Sequence, residues 1–322
     1  MARVLVTGAA GFVGPHLVRA LEAAGHETWS TDREPRSRDK ESGGGAPRHA
    51  ACDLTDARRV VALADEARPE AVVHLASSSS VARSFQDPQG ALVNNLLAAC
   101  NLLEAARRLP GVRVLLVGSA EQYGPVRPAE LPLRESQPFR PASPYAVSKV
   151  AQEYLALQYH ATWKLDVVLT RSFNHSGPGQ SADFFLPAVA KQIAAAEAGF
   201  AEPVLQLGNL DVERDFVDVR DVARAYVLLL EHGAAGTAYN VCRGESSSLR
   251  VLVDSLLVRS RVPIRVETDP ARLRPADLPV LRGDPARLER CTGWQPRYAL
   301  DAMLADVLDD WRRRVAGGEP RP

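Results

Sequence analysis

Short apolar runs alternate with longer amphipathic segments through the first half of the chain. Val4 to Thr7 is apolar and stops at a glycine, and Phe12 to Ala24 then places Val13, Leu17, Ala20 and Leu21 on one face. The first pattern predicts a buried strand and the second a helix packed on it. Further strands are predicted at His26 to Thr31, His49 to Leu54, Ala71 to Ala76, Val112 to Ser119 and Asp166 to Phe173, with a late one at Gly236 to Val241. Helical patterns near Ala57–Ala67, Ala91–Leu109 and Pro144–Thr162 separate them. Strands alternating with helices make βαβ units, so the class expected is α/β with a doubly wound parallel sheet of about seven strands. Pro35 to Pro47, with Ser42-Gly43-Gly44-Gly45, predicts a surface loop. The second half mixes helices with short extended pieces and prolines, as in Arg272-Leu273-Arg274-Pro275. It predicts a smaller C-terminal lobe over the strand ends, where such sheets bind ligands. The division expected is residues 1–172 with 218–243 for the sheet, and 173–217 with 244–322 for the second lobe.

Two motifs sit where that pattern gives them chemistry. Thr7-Gly8-Ala9-Ala10-Gly11-Phe12-Val13-Gly14 follows the first strand and opens the first helix. Glycines there let the backbone turn tightly and approach a pyrophosphate at the positive end of the helix. Gly8, Gly11, Phe12 and Val13 are therefore assigned to a dinucleotide. Asp32 ends the second strand, where a carboxylate accepts hydrogen bonds from ribose hydroxyls and repels a 2′-phosphate. It tilts the expectation towards NAD(H) over NADP(H), although Arg33 follows and is placed to meet such a phosphate. Asp53 and Leu54 are expected near the adenine edge. In the second motif, Tyr145-Ala146-Val147-Ser148-Lys149, a phenol and an ammonium stand one helical turn apart. A carbonyl that accepts hydride must also receive a proton, and a tyrosine whose pKa is lowered by a nearby cation can supply it. Lys149 also suits a ribose. Ser119, at a strand end, completes the set by orienting the reacting oxygen.

Composition narrows the class. No apolar run approaches the roughly 20 residues that span a bilayer, and the apolar start at Met1 to Val6 stops too soon for a secretion signal. The 322 residues carry no net charge, which gives no reason to expect nucleic acid or membrane partners. Cys52, Cys100, Cys242 and Cys291 fit neither a metal-ligand spacing nor a disulfide framework, so reduced thiols in a soluble, cytoplasmic protein without a metal are expected. Only four of the 39 lysines and arginines are lysine, so Lys149 and Lys191 stand out as retained cations.

With those residues in place, the chain resembles the extended short-chain dehydrogenases/reductases from end to end. The resemblance rests on GAAGFVG, HLASSSSV (74–81), VGSAEQYG (117–124), PYAVSK (144–149) and RSFNHSGPGQ (171–180). It implies a Rossmann domain, an NAD(P) cofactor touching Leu75 and Ala76 as well, and Ser119, Tyr145 and Lys149 as the catalytic set. The loop 173–180, the segment Phe185 to Ile193, the Arg214-Asp215-Phe216-Val217-Asp218 run and the stretch 272–279 are similar to members acting on GDP-mannose derivatives. That likeness implies Asn174 and Arg214 on the diphosphate, Lys191 near the guanine, and Arg274 and Asp277 near the nucleotide sugar. The reaction implied is NAD(P)H-dependent reduction of the C4 ketone of GDP-4-keto-6-deoxy-mannose to a GDP-6-deoxyhexose of the GDP-rhamnose type. The alternatives are 4,6-dehydration of GDP-mannose, for which Glu121 occupies the acidic position, and C4 epimerisation with a tightly held NAD. The resemblance further implies a homodimer formed through the helices near Ala91–Leu109 and Pro144–Thr162.

Overall fold

A computed structural model describes residues 1–34, 48–272 and 278–318. The expected loop from Pro35 to Pro47 lies outside the described residues. The first half runs β1 (Arg3–Thr7), α1 (Gly14–Ala23), β2 (Glu27–Asp32), β3 (Arg48–Ala51), α2 (Ala57–Ala67), β4 (Ala71–His74), α3 (Val81–Gln86), α4 (Pro88–Ala106), β5 (Arg113–Ser119), α5 (Pro144–Trp163) and β6 (Asp166–Ser172). The expected elements are present, and their ends follow local chemistry. β3 stops short of Leu54 because the Asp53 carboxylate turns back to accept from the Thr55 amide at 2.9 Å. α4 starts before Ala91 because Asp87 caps it, accepting from the Gly90 amide at 2.8 Å, with Pro88 in the first turn. Ser143 caps α5 in the same way, 3.1 Å from the Ala146 amide.

The second half continues with β7 (Asn174–Ser176), α6 (Phe185–Glu197), β8 (Val204–Leu207), β9 (Glu213–Arg214), β10 (Phe216–Asp218), α7 (Val219–His232) and β11 (Thr237–Val241). It closes with β12 (Ser247–Ser248), α8 (Leu249–Val258), β13 (Arg265–Thr268), β14 (Val280–Leu281), α9 (Ala286–Thr292) and α10 (Leu300–Ala316).

Seven parallel strands form one sheet in the order β3-β2-β1-β4-β5-β6-β11. The order reverses between β1 and β4, and the carboxyl ends of the strands there open a crevice. One apolar layer joins the sheet to α2, α4 and α5, with Leu63, Leu102, Leu103 and Ala156 buried in it. The opposite layer holds α1 and α7, through Leu17, Leu21, Val222, Tyr226 and Leu229. Each such leucine or valine contributes about 1.5–3 kcal/mol by leaving water. A third core, built on α6, α8 and α10, fills a smaller lobe above the strand ends. Three small sheets, β10-β7, β12-β9-β14 and β13-β8, tie that lobe together. The chain then returns to the first lobe: Leu288 and Trp294 are buried beside α7, and the Trp294 indole donates to the Asp221 carbonyl at 3.0 Å.

Candidate active site

The crevice is a cleft of about 930 Å³ running along the strand ends. At one end lies the glycine loop. Gly8 has φ +71°, and a Cβ on it would sit 2.7 Å from the Ala76 amide nitrogen. A Cβ on Gly14 would be 2.2 Å from the Ala9 carbonyl oxygen. Only glycine lets the loop press on the segment just after β4 and lets α1 start beneath it. Gly11, Phe12, Val13, Leu75 and Ala76 line the same wall.

Asp32 lines the next stretch, and its Oδ2 accepts from the Ala10 amide at 2.7 Å, which fixes the carboxylate against the loop. The Arg33 guanidinium turns towards its neighbours: it donates to Asn94 Oδ1 at 2.8 Å and lies 3.8 Å from Asp53. Thr55 donors, with Arg33 adding, hold the Asp53 carboxyl below its usual range. Arg33, Asp53 and Leu54 all border the cleft. A glycine loop with no room for a Cβ, a helix start directly behind it and a strand-end carboxylate together fit a dinucleotide.

At the other end stand Ser119, Glu121, Tyr145 and Lys149. Ser119 ends β5, and its Oγ accepts from the Glu121 amide at 3.2 Å. Its own amide donates to Gln122 Oε1 at 2.8 Å, and the Gln122 amide group donates to Glu153 at 2.8 Å. Glu153 in turn pairs with Arg171 at 2.7 Å, both buried, so the Ser119 turn is braced from below. The Tyr145 hydroxyl lies near Ser119, which acts to lower its pKa.

The electrostatics differ from the sequence expectation. Burial raises the Tyr145 phenol well above its usual range, and Glu121 and Tyr226 add to the rise. Lys149 does not lower it. Its Nζ is 5.9 Å from the ring centroid and donates instead to the Val117 carbonyl at 2.9 Å. Burial pushes Lys149 itself down to about 7. Below it, His74 is pushed to about 3 by burial and by Lys149, so its imidazole is neutral, with Nδ1 2.8 Å from Thr7 Oγ1.

Of the residues assigned to the sugar nucleotide, Asn174 lines the cleft. Lys191 and Arg214 are not among the lining residues. Lys191 Nζ lies 5.8 Å from the Trp311 ring centroid, and Arg214 Nη1 donates to the Glu213 and Leu278 carbonyls at 2.8 and 2.7 Å. Arg274 and Asp277 lie outside the described residues. The cleft also contains residues with no role in the sequence reading: Ser172 and His175, within the motif 171–180, and Tyr226, outside every motif. Ser172 has the same strand-end signature as Ser119. His175 donates from Nδ1 to the Phe173 carbonyl at 2.9 Å and stacks on Phe12 at 6.0 Å. Tyr226 arrives from α7 by packing alone, with no sequence signal.

Three comparisons bear on this arrangement. A family model described as GDP-mannose 4,6 dehydratase matches residues 5–307. GDP-6-deoxy-D-mannose reductase of Pseudomonas aeruginosa is 40% identical over 315 residues, covering 97% of this chain and 98% of that protein. The structure of RMD from Pseudomonas aeruginosa complexed with NADPH superposes with a TM-score of 0.86 at 37% identity, covering 98% of this chain and all of the other. UDP-glucose 4-epimerase of Thermus thermophilus complexed with NAD gives 0.84 at 31%, covering 96% of this chain and 99% of the other.

Proposed function

From the premise that the chain belongs to the GDP-mannose 4,6-dehydratase family of extended short-chain dehydrogenases/reductases, we propose that it reduces the C4 ketone of GDP-4-keto-6-deoxy-mannose. The observation that carries this choice is the end-to-end similarity to the Pseudomonas reductase. The reading is an enzyme using a nicotinamide dinucleotide on a nucleotide sugar. When bound, the reduced nicotinamide supplies hydride to the sugar C4. The glycine loop and the positive end of α1 hold the pyrophosphate, and Asp32 takes the adenine ribose hydroxyls. Lys149 holds the nicotinamide ribose. Ser119 donates to the ketone oxygen and turns it towards Tyr145, which gives up its proton as charge builds on that oxygen. A phenol with a raised pKa carries that proton throughout the neutral range, as the reductive direction needs.

Asp32, clamped by the Ala10 amide, and Arg33, engaged with Asn94, support NAD(H) as the preferred coenzyme. The lobe expected at 173–217 and 244–322, apart from α9 and Trp294, which pack on the first lobe, is assigned to the GDP-sugar, with Asn174, Lys191, Arg214, Arg274 and Asp277 as its contacts; Lys191 and Arg214 must then reach the ligand when it binds. The apolar outer faces of α4 and α5 are assigned to a second copy of the chain. Glu121, beside Tyr145 in the cleft, favours one second reading, a 4,6-dehydratase in which that carboxylate serves the elimination.

The test mixes the protein with NADH or NADPH and freshly made GDP-4-keto-6-deoxy-mannose, beside GDP-mannose alone. Loss of the dihydronicotinamide absorbance with the keto sugar is expected, faster with NADH. No loss with either coenzyme would sink the reductase. A 4-keto product from GDP-mannose would then install the dehydratase.

A further inference from the structure

Ser119 and Ser172 are register partners at the carboxyl ends of the adjacent strands β5 and β6, and both line the cleft. Each carries a tyrosine. Ser119 lies near Tyr145, which comes from α5 on one side of the sheet. Ser172 Oγ lies 2.6 Å from the hydroxyl of Tyr226, which comes from α7 on the other side. The first pair is absorbed by the proton transfer, and the second has no part in it. Yet the second is as well built. Tyr226 is fully buried in the core around α7, so its ring is fixed, and it borders the cleft. Ser172 is steadied further by Thr170 Oγ1 at 3.4 Å. Burial pushes the Tyr226 phenol up to about 12, which keeps it a hydrogen-bond donor at working pH.

What the second pair faces follows from the sheet. Asp32 ends β2, and β1 and β4 separate it from β5, about 14 Å at the usual strand spacing. A dinucleotide anchored by its adenosine ribose at Asp32 and by its pyrophosphate at the glycine loop brings its nicotinamide to the ends of β5 and β6. There Tyr145 would stand on its α5 side and Tyr226 on its α7 side. The sugar must lie between Tyr145 and the ring to receive both proton and hydride. Tyr226 is left on the far side. Tyr226, Ser172 and Thr170 form a chain of three hydroxyls, whose remaining proton and lone pairs match the carbonyl and amino groups of a carboxamide.

We propose that Tyr226, held by Ser172, is a positioning residue that receives the nicotinamide carboxamide and fixes the ring from the side opposite Tyr145. This rests on reading the cleft as a dinucleotide site, and the test separates the two. Wild type, Tyr226→Phe and Ser172→Ala are titrated calorimetrically with NADH, NADPH and ADP-ribose, which lacks the nicotinamide. Each variant is expected to bind the preferred coenzyme about fivefold to tenfold more weakly, the loss of roughly one hydrogen bond, and ADP-ribose unchanged. Equal loss for coenzyme and ADP-ribose would show a structural role only and overturn the proposal, as would unchanged coenzyme binding. If Tyr226→Phe fails to fold, Ser172→Ala decides by the same comparison. If wild type binds none of the three, it is the dinucleotide reading that falls.

Discussion

Lys149 is an ammonium only 3% exposed to water, with the Val117 carbonyl as its hydrogen-bond acceptor. Folding lowers its pKa from 10.5 to about 7, so between those values the unfolded chain holds a proton that the folded protein has lost. Stability therefore rises with pH across that window and is penalised below it. Lys149→Met, which removes the charge at similar volume, is expected to raise the melting temperature of the ligand-free protein at pH 7. That advantage should shrink towards pH 10 in a thermal scan, and a constant difference would contradict the buried charge. The same variant should turn over poorly. Tyr145→Phe should lower kcat by about a hundredfold or more with the fold intact, the loss expected of a general acid. Sequence spacing was enough to pair Tyr145 with Lys149, because one helical turn fixes their proximity. It was not enough for their charges, because burial, rather than the neighbouring cation, dominates both groups.

The turn that carries Ser119 is positioned from beneath by two elements, α5 and β6. The Gln122 side chain links the Ser119 amide to Glu153 on α5, and Glu153 pairs with Arg171 on β6. The Arg171 guanidinium also donates to the Tyr123 hydroxyl at 2.9 Å and lies 4.3 Å from the Phe139 ring centroid. Glu153→Ala would leave that guanidinium buried without its carboxylate, and a loss of about 3–5 kcal/mol is expected in urea unfolding. Because the same carboxylate braces Gln122, kcat should fall more than KM rises; an unchanged kcat would show that the brace does not reach Ser119. Such networks are invisible to periodicity. The strands and helices of the first half were legible because their apolar spacing is strong and local. β3 was read too long because Asp53 and Thr55 end it with a side-chain turn that hydrophobicity does not report. The two- and three-residue strands of the second lobe are too short to carry any period.

At the scale of the molecule, the cleft exists because the strand ends of one lobe meet the helices of another, and this closure decides which assigned residues reach a ligand. Asp32 and Ser119, at the ends of first-sheet strands, both border the cleft, since strand ends in a doubly wound sheet converge on one line. Lys191 and Arg214 belong to the second lobe, whose orientation depends on long-range packing such as α10 on α6 and Trp294 beneath α7. A motif cannot report that. The same long-range view exposes one face left without cover. α4 and α5 are apolar on two sides: one packs on the sheet, while Val93, Leu97, Val147 and Tyr154 stand 40–60% exposed on the other. Helices apolar all round are buried in the working state, and a second copy of the chain offers the same surface to cover them. Sedimentation equilibrium is expected to give twice the 34.9 kDa of one chain, with a melting temperature that rises with protein concentration. Leu97→Glu combined with Tyr154→Glu places charges on that face and should give a folded species of single-chain mass. A wild-type protein already at single-chain mass would leave the face without its partner and remove the homodimer from the proposal.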